Sequence, residues 1–220
     1  MKLSPSGIPF VTVPGLLLAG LLSAQVPGER LAATMAENAR LLHQYTFKQR
    51  TEAKYKGEDK IVRTSQVRFD PDGKRQTTLI SQTGGEEATG LGHRIIQKKR
   101  DEMKEYVERL SALVENYLPP DPDKFREALA KAEIGQAGNQ MALTMKNYVK
   151  AGDSLVIVAD PVTRKLVRLE LKTTLDKDPI SVTADMAFVP NGPSYPGVTK
   201  VKAPSKNLEI DISQYDFMKL

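Results

Sequence analysis

Apolar and polar side chains alternate along most of this chain, and one long amphipathic stretch interrupts the alternation. Tyr45, Phe47, Gln49, Thr51, Ala53 and Tyr55 fall on one face; Thr46, Lys48, Arg50, Glu52 and Lys54 fall on the other. Alternation of this length describes a half-solvated antiparallel strand. Lys56-Gly57-Glu58-Asp59 reads as a turn, Ile61 to Phe69 as a second strand, and Asp70-Pro71-Asp72-Gly73 as another turn. Lys74 to Ser81 is a third strand, so the first three strands form a meander.

After position 138 the same period returns. Met141, Leu143, Met145, Asn147 and Val149 alternate with polar neighbours, and Ala151-Gly152-Asp153 turns the chain. Ser154 to Ala159 is apolar on both faces and reads as a central strand. Val167, Leu169, Leu171, Thr173 and Leu175 share one face of the next strand, and Ile180, Val182, Ala184, Met186 and Phe188 share a face of the one after. Asn191 to Gly197 reads as a loop, with two last strands near 198–202 and 208–215.

Helical spacing appears in three places. Glu29 to Gln44 carries Leu31, Met35, Asn38, Leu41 and Leu42 at three-to-four spacing among alanines. Arg94 to Leu118 carries a stripe of Ile95, Ile96, Met103, Tyr106, Val107, Leu110, Leu113, Val114, Tyr117 and Leu118. Pro119-Pro120 stops that helix, and a shorter one follows to Lys131. The pattern predicts an α+β fold of about nine antiparallel strands, with a helical insertion at about 93–132. Right-handed twist curls such a sheet into a half-barrel, and its apolar concave face must be filled. The inserted amphipathic helix fills it, and the N-terminal helix covers an edge.

The first residues read differently. No charge occurs from Leu3 to Gly28, Lys2 precedes this run, and the apolar peak Leu16–Leu22 ends in Ser23-Ala24-Gln25. That is the layout of a cleavable signal peptide over 1–24, with the domain spanning 25–220 and a periplasmic or secreted destination. Pro9, Thr12, Pro14 and Gly15 leave the apolar core shorter than a membrane span requires, so the mature form is expected to carry no integral span.

Composition removes several functional classes. The chain of 220 residues contains no cysteine, which excludes a disulfide framework, thiolate chemistry and a lipidated N-terminal cysteine. Only His43 and His93 are available for a zinc site or a His-based triad, and neither has a partner nearby in sequence. The net charge of +5 comes from interspersed charges, as in Lys98-Lys99-Arg100-Asp101-Glu102. That does not build a nucleic-acid surface. Gly85–Gly92 lies where phosphate loops lie, but Leu91 and Gly92 stand where Lys and Ser/Thr are needed. Asp70/Asp72, Asp121/Asp123 and Asp176/Asp178 read as turn and cap chemistry beside proline, not as a calcium loop. No catalytic constellation, metal site or cofactor is expected.

The candidate ligand-binding residues are therefore apolar: Phe47, Met103, Tyr106, Leu110, Met141, Met145, Met186 and Phe188, all predicted to face inward. Methionine adapts to irregular ligands, although the same residues also suit a closed core. The loops 82–92 and 190–197 would form the mouth.

An export signal, a leading helix, a three-strand meander, a helical insertion and a second run of strands resemble the LolA/LolB-type periplasmic lipoprotein carriers. That resemblance implies an incomplete barrel that holds acyl chains. Tyr45–Glu52 (YTFKQRTE), Val67–Lys74 (VRFDPDGK) and Tyr117–Lys124 (YLPPDPDK) are also similar to a group of uncharacterised exported bacterial proteins. Two functions follow as expectations. One is a carrier or sensor of a lipid, acyl chain or lipidated peptide; the other is an envelope interaction protein with a filled core and a protein partner.

Overall fold

The computed structural model describes residues 25–56, 59–84, 93–117, 122–163 and 165–220. The signal peptide expected over 1–24, the glycine loop 85–92, Pro119-Pro120 and Asp121 lie outside the described residues.

The fold is α+β, with three α-helices and one antiparallel sheet that is not closed into a barrel. In chain order the elements are α1 (Gln25–Leu42), β1 (Tyr45–Tyr55), β2 (Asp59–Phe69), β3 (Arg75–Thr83), α2 (His93–Glu115), α3 (Pro122–Leu129), β4 (Glu133–Ala137), β5 (Gln140–Lys146), β6 (Ser154–Ala159), β7 (Leu166–Leu175), β8 (Asp178–Phe188), β9 (Ser194–Ala203) and β10 (Leu208–Lys219). The sheet has 10 strands, one more than expected, because Glu133–Ala137 forms the edge strand β4. Every residue of β4 is solvent-exposed, so nothing in it was required to alternate. β9 begins at Ser194 instead of 198, and Pro196 is accommodated where the β8–β9 register shifts at Asp185/Met186.

The strand order is β3-β2-β1-β10-β9-β8-β7-β6-β5-β4. The two edges, β3 and β4, are consecutive strands joined through α2 and α3. The connection must therefore traverse the whole sheet. Nine inter-strand steps span about 43 Å if flat, whereas the 23 residues of α2 reach only about 35 Å. A curved sheet shortens that path. Register shifts at Thr46/Lys48, Thr64/Ser65, Val158/Ala159 and Asp185/Met186 raise the local twist that produces curvature.

Residues directly opposite one another in antiparallel strands share a face. The registers therefore assemble rows that cross the sheet. Ile61, Ala53, Ile210, Val201, Val182, Leu171, Leu155 and Met145 form one row from β2 to β5, apolar at every position. The adjacent row runs Gln82, Arg63, Thr51, Ile212, Thr199, Ala184, Leu169, Ile157, Leu143 and Ile134. It is polar at the β3 end and apolar at the β4 end. α2 covers this inner face: Tyr106, Leu110 and Tyr117 share one buried cluster with Leu155, Ile157, Leu171, Val182 and Ile210. The outer face is charged, with pairs such as Arg168–Asp185 at 2.6 Å and Lys146–Glu133 at 2.7 Å.

α1 caps one end of the inner face. Asn38 Nδ2 donates to the Ser194 carbonyl at 2.8 Å, and its Oδ1 accepts from the Ser194 amide at 2.6 Å and hydroxyl at 3.0 Å. α1 is thereby pinned to the β8–β9 hairpin.

Candidate functional site

The inner face beneath α2 brings together six of the eight candidate residues. Tyr106, Leu110 and Met145 are fully buried in the core cluster, and Met103, Met141 and Met186 pack half-buried against it. The helix contributes Met103, Tyr106 and Leu110 on one stripe, as their three- and four-residue spacing requires. The sheet contributes Met141 and Met145 from β5 and Met186 from β8.

The other two lie elsewhere. Phe47 is buried in a separate aromatic group, stacked on Phe217 at 4.6 Å and tilted against Phe69 at 6.5 Å between ring centroids. His43 extends this group, 4.4 Å from Phe69, which gives that histidine a packing role. Phe188 was expected inward but is 43% exposed at the end of β8, with the Lys165 ammonium 4.9 Å from its ring centroid. Strand alternation places it on the face of Met186, at the end of β8 opposite Ser194.

The expected mouth is also different. Residues 190–197 are a packed hairpin end, not an open loop. The Val189 amide donates to Pro193 at 3.0 Å, Gly192 donates to Val189 at 2.9 Å, and a Cβ at Gly192 would meet the Tyr45 hydroxyl at 3.0 Å. Together with the Asn38 bonds, these contacts tie the segment down.

Side chains alone join α2 to the sheet among the described residues. Its polar attachments include Arg109 to Asp176 at 2.5 Å and, just past its end, the Tyr117 hydroxyl. Tyr117 donates to Asp153 Oδ2 at 2.7 Å and lies 3.0 Å from the Thr173 hydroxyl. Asp153 also accepts the Tyr148, Val149 and Lys150 amides at 2.6, 3.0 and 2.8 Å, which organises the β5–β6 turn. Burial drives the Tyr117 phenol up to about 12, reinforced by the Asp153 carboxylate. The Tyr106 phenol is likewise pushed up to about 12, first by burial and then by the Asp178 carboxylate. Its hydroxyl lies near Asp178 without forming a hydrogen bond of ordinary geometry.

The residues that sequence reasoning missed are the seven members of the central apolar row other than Met145: Ile61, Ala53, Ile210, Val201, Val182, Leu171 and Leu155. Alternation marks each as inward, but only register aligns them into a strip. Among the described residues no three His, Cys, Asp or Glu side chains meet as a metal site would require. No helix among them is long and apolar enough to cross a membrane.

No family model matches the chain, and no curated protein matches it in sequence. Solved structures align with most of the chain at very low identity. A DUF1329 family protein from Desulfovibrio piger aligns over 89% of this chain and 93% of its own, with TM-score 0.43 and 9% identity. A LolA superfamily protein from Nitrosomonas europaea aligns over 86% and 93%, with TM-score 0.41 and 8% identity. An outer membrane lipoprotein-sorting protein domain from Vibrio parahaemolyticus aligns over 89% and 93%, with TM-score 0.40 and 6% identity.

Proposed function

We propose that this chain is an exported, non-catalytic binding protein that takes an acyl chain, from a lipid or a lipidated peptide, between α2 and the central apolar row. The observation that carries this reading is the row itself, apolar across eight strands, with Tyr106 and Leu110 of α2 and Phe125 of α3 buried in one cluster with it.

Magnitudes decide how such a ligand enters. Lifting α2 clear would expose Tyr106, Leu110, Met103 and Val107, at roughly 1.5–3 kcal/mol each. A fully buried dodecyl chain contributes on the order of 9 kcal/mol before the cost of association. A chain that slides between the helix stripe and the row keeps both apolar surfaces dry, so α2 moves outward by about one chain diameter and stays amphipathically seated. Met103, Met141 and Met186, half-buried at the margin, repack most readily.

Native mass spectrometry of protein purified without detergent tests this reading. Bound masses of lipid size, or uptake of a fluorescent fatty acid, are expected. A second reading, an envelope interaction protein with a filled core, is favoured by the close burial of Leu110, Leu155 and Ile157 among protein side chains. A uniformly empty protein that ignores fatty acids would select it.

A further inference from the structure

The registers bring four hairpin turns to the same end of the sheet: β1–β2, β5–β6, β7–β8 and β9–β10. Each turn carries a lysine, namely Lys56, Lys150, Lys177 and Lys206. The carboxylates described there are already matched. Asp176 meets Arg109, Asp178 meets Lys206 at 3.8 Å, and Glu209 meets Lys202 at 3.5 Å. Asp153 is buried beneath the Tyr117 hydroxyl and three amides. Farther along the outer face of β7, Glu170 meets Arg168 at 3.8 Å.

The cations left over gather on two hairpins that are neighbours in the sheet, β5–β6 and β7–β8. Lys172 stands on the outer face of β7 between Ser154 and Ser181 of the flanking strands. The next outer position along the strand is Thr174, whose carbonyl accepts a hydrogen bond from the Lys150 ammonium. That bond sets Lys150 on the stretch of chain between Lys172 and Lys177. Lys172 and Lys177 are exposed, and among the described residues neither side chain has an ion-pair or hydrogen-bond partner. Val149, beside Lys150, is 38% exposed.

The β7–β8 turn keeps its lysine against its own backbone. Leu175 pairs with Asp178, so Asp176-Lys177 is a two-residue connection, with φ of 52° and 89°. Such connections favour Asn-Gly or Asp-Gly, because a side chain is strained at positive φ. Lys177 stands where glycine would fold more easily.

We propose that Lys150, Lys172 and Lys177 form a docking corner for an anionic bilayer, with Val149 as its apolar contact. A site for one small anion needs donors converging on a point, whereas these cations are spread along one strand and its turns. A lipid surface needs only cations presented together on one side of the molecule. All three are lysines, whose point charge on a flexible stem follows mobile headgroups; a fixed carboxylate on a protein partner suits the arginine fork better. An exposed apolar side chain among the cations adds contact with the interface. The corner lies on the outer face and does not depend on the acyl-binding reading.

Co-sedimentation with sucrose-loaded vesicles tests the proposal, using phosphatidylcholine alone and phosphatidylcholine mixed with phosphatidylglycerol in equal parts. The native chain is expected to bind the mixed vesicles at least tenfold tighter, and high salt should erase the difference. Each lysine contributes about fivefold, so Lys150→Gln/Lys172→Gln/Lys177→Gln should lose most of the preference. Arg at the same three positions should retain it. Lys177→Gly separates docking from folding: its binding to mixed vesicles should fall about fivefold while its melting temperature stays at or above that of the native chain. Fluorescent fatty acid should bind the triple Gln variant as it binds the native chain, so failure of docking and failure of acyl binding are read separately.

Equal binding of the native chain to the two kinds of vesicle overturns the proposal. A preference that survives in the triple Gln variant places the docking surface elsewhere and overturns this corner.

Discussion

The Tyr117 hydroxyl donates a 2.7 Å hydrogen bond to the carboxylate of Asp153, with both residues buried. One bond thereby ties the end of α2 to the turn between β5 and β6. Asp153 is a buried carboxylate whose other bonds come from three backbone amides of its own loop. Tyr117→Phe removes one donor and leaves those three. It is expected to destabilise the fold by about 1–3 kcal/mol, whereas Asp153→Ala, which orphans three amides and a hydroxyl, should cost more. Urea unfolding with the slope held equal checks the order of the two variants.

The two buried phenols give the fold a dependence on alkaline pH. Tyr106 and Tyr117 titrate near 12 in the folded chain, against about 10 in an unfolded one. Between these values the unfolded chain has released phenolic protons that the folded chain retains. Stability therefore holds below pH 10 and falls as pH rises toward 12. The loss approaches about 2 kcal/mol for each phenol. Chemical denaturation from pH 9 to 12 should show a shallower decline for Tyr117→Phe than for the native chain, and parallel curves would contradict the assignment.

The clamp of α1 on the β8–β9 hairpin is a separate unit. Asn38→Ala removes all three bonds to Ser194. Amide exchange in α1 and in residues 189–195 should accelerate together, while β5–β7 amides stay protected. Acceleration confined to α1 would show that the hairpin does not depend on it.

Among the described side chains of α2, Leu110 is the most deeply set in the core, at 2% exposure. Leu110→Ala should cost about 2–5 kcal/mol. An acyl probe that fills the vacated volume should recover part of that loss, so the melting temperature of the variant should rise more with probe than that of the native chain.

Much of this fold was legible because its central strands are half-buried and had to alternate. β1, β2, β5, β7 and β8 follow from period two, β6 from an unbroken apolar run, and α2 from its stripe. β4 was illegible for the converse reason: Glu133-Ile134-Gly135-Gln136-Ala137 lies exposed at an edge, where burial imposes no pattern. The Tyr117–Asp153 bond joins residues 36 apart, and the turn at Ala151-Gly152-Asp153 reveals nothing of its distant partner. The candidate site was half legible. Inward methionines on α2, β5 and β8 do pack on one core, but parity could not reveal that Phe47 belongs to another aromatic group or that Phe188 stands exposed at the end of its strand.

Whether α2 is the cover over the ligand is the central claim, and immobilising the helix tests it most directly. The chain has no cysteine, and the Arg109 and Asp176 side chains that meet at the helix–sheet boundary are both exposed. Arg109→Cys/Asp176→Cys, bridged by a short bismaleimide, would fasten α2 to the β7–β8 turn. Fluorescent fatty-acid binding, measured on the same preparation before and after bridging, is expected to fall at least tenfold. Undiminished binding by the bridged protein would place the ligand elsewhere.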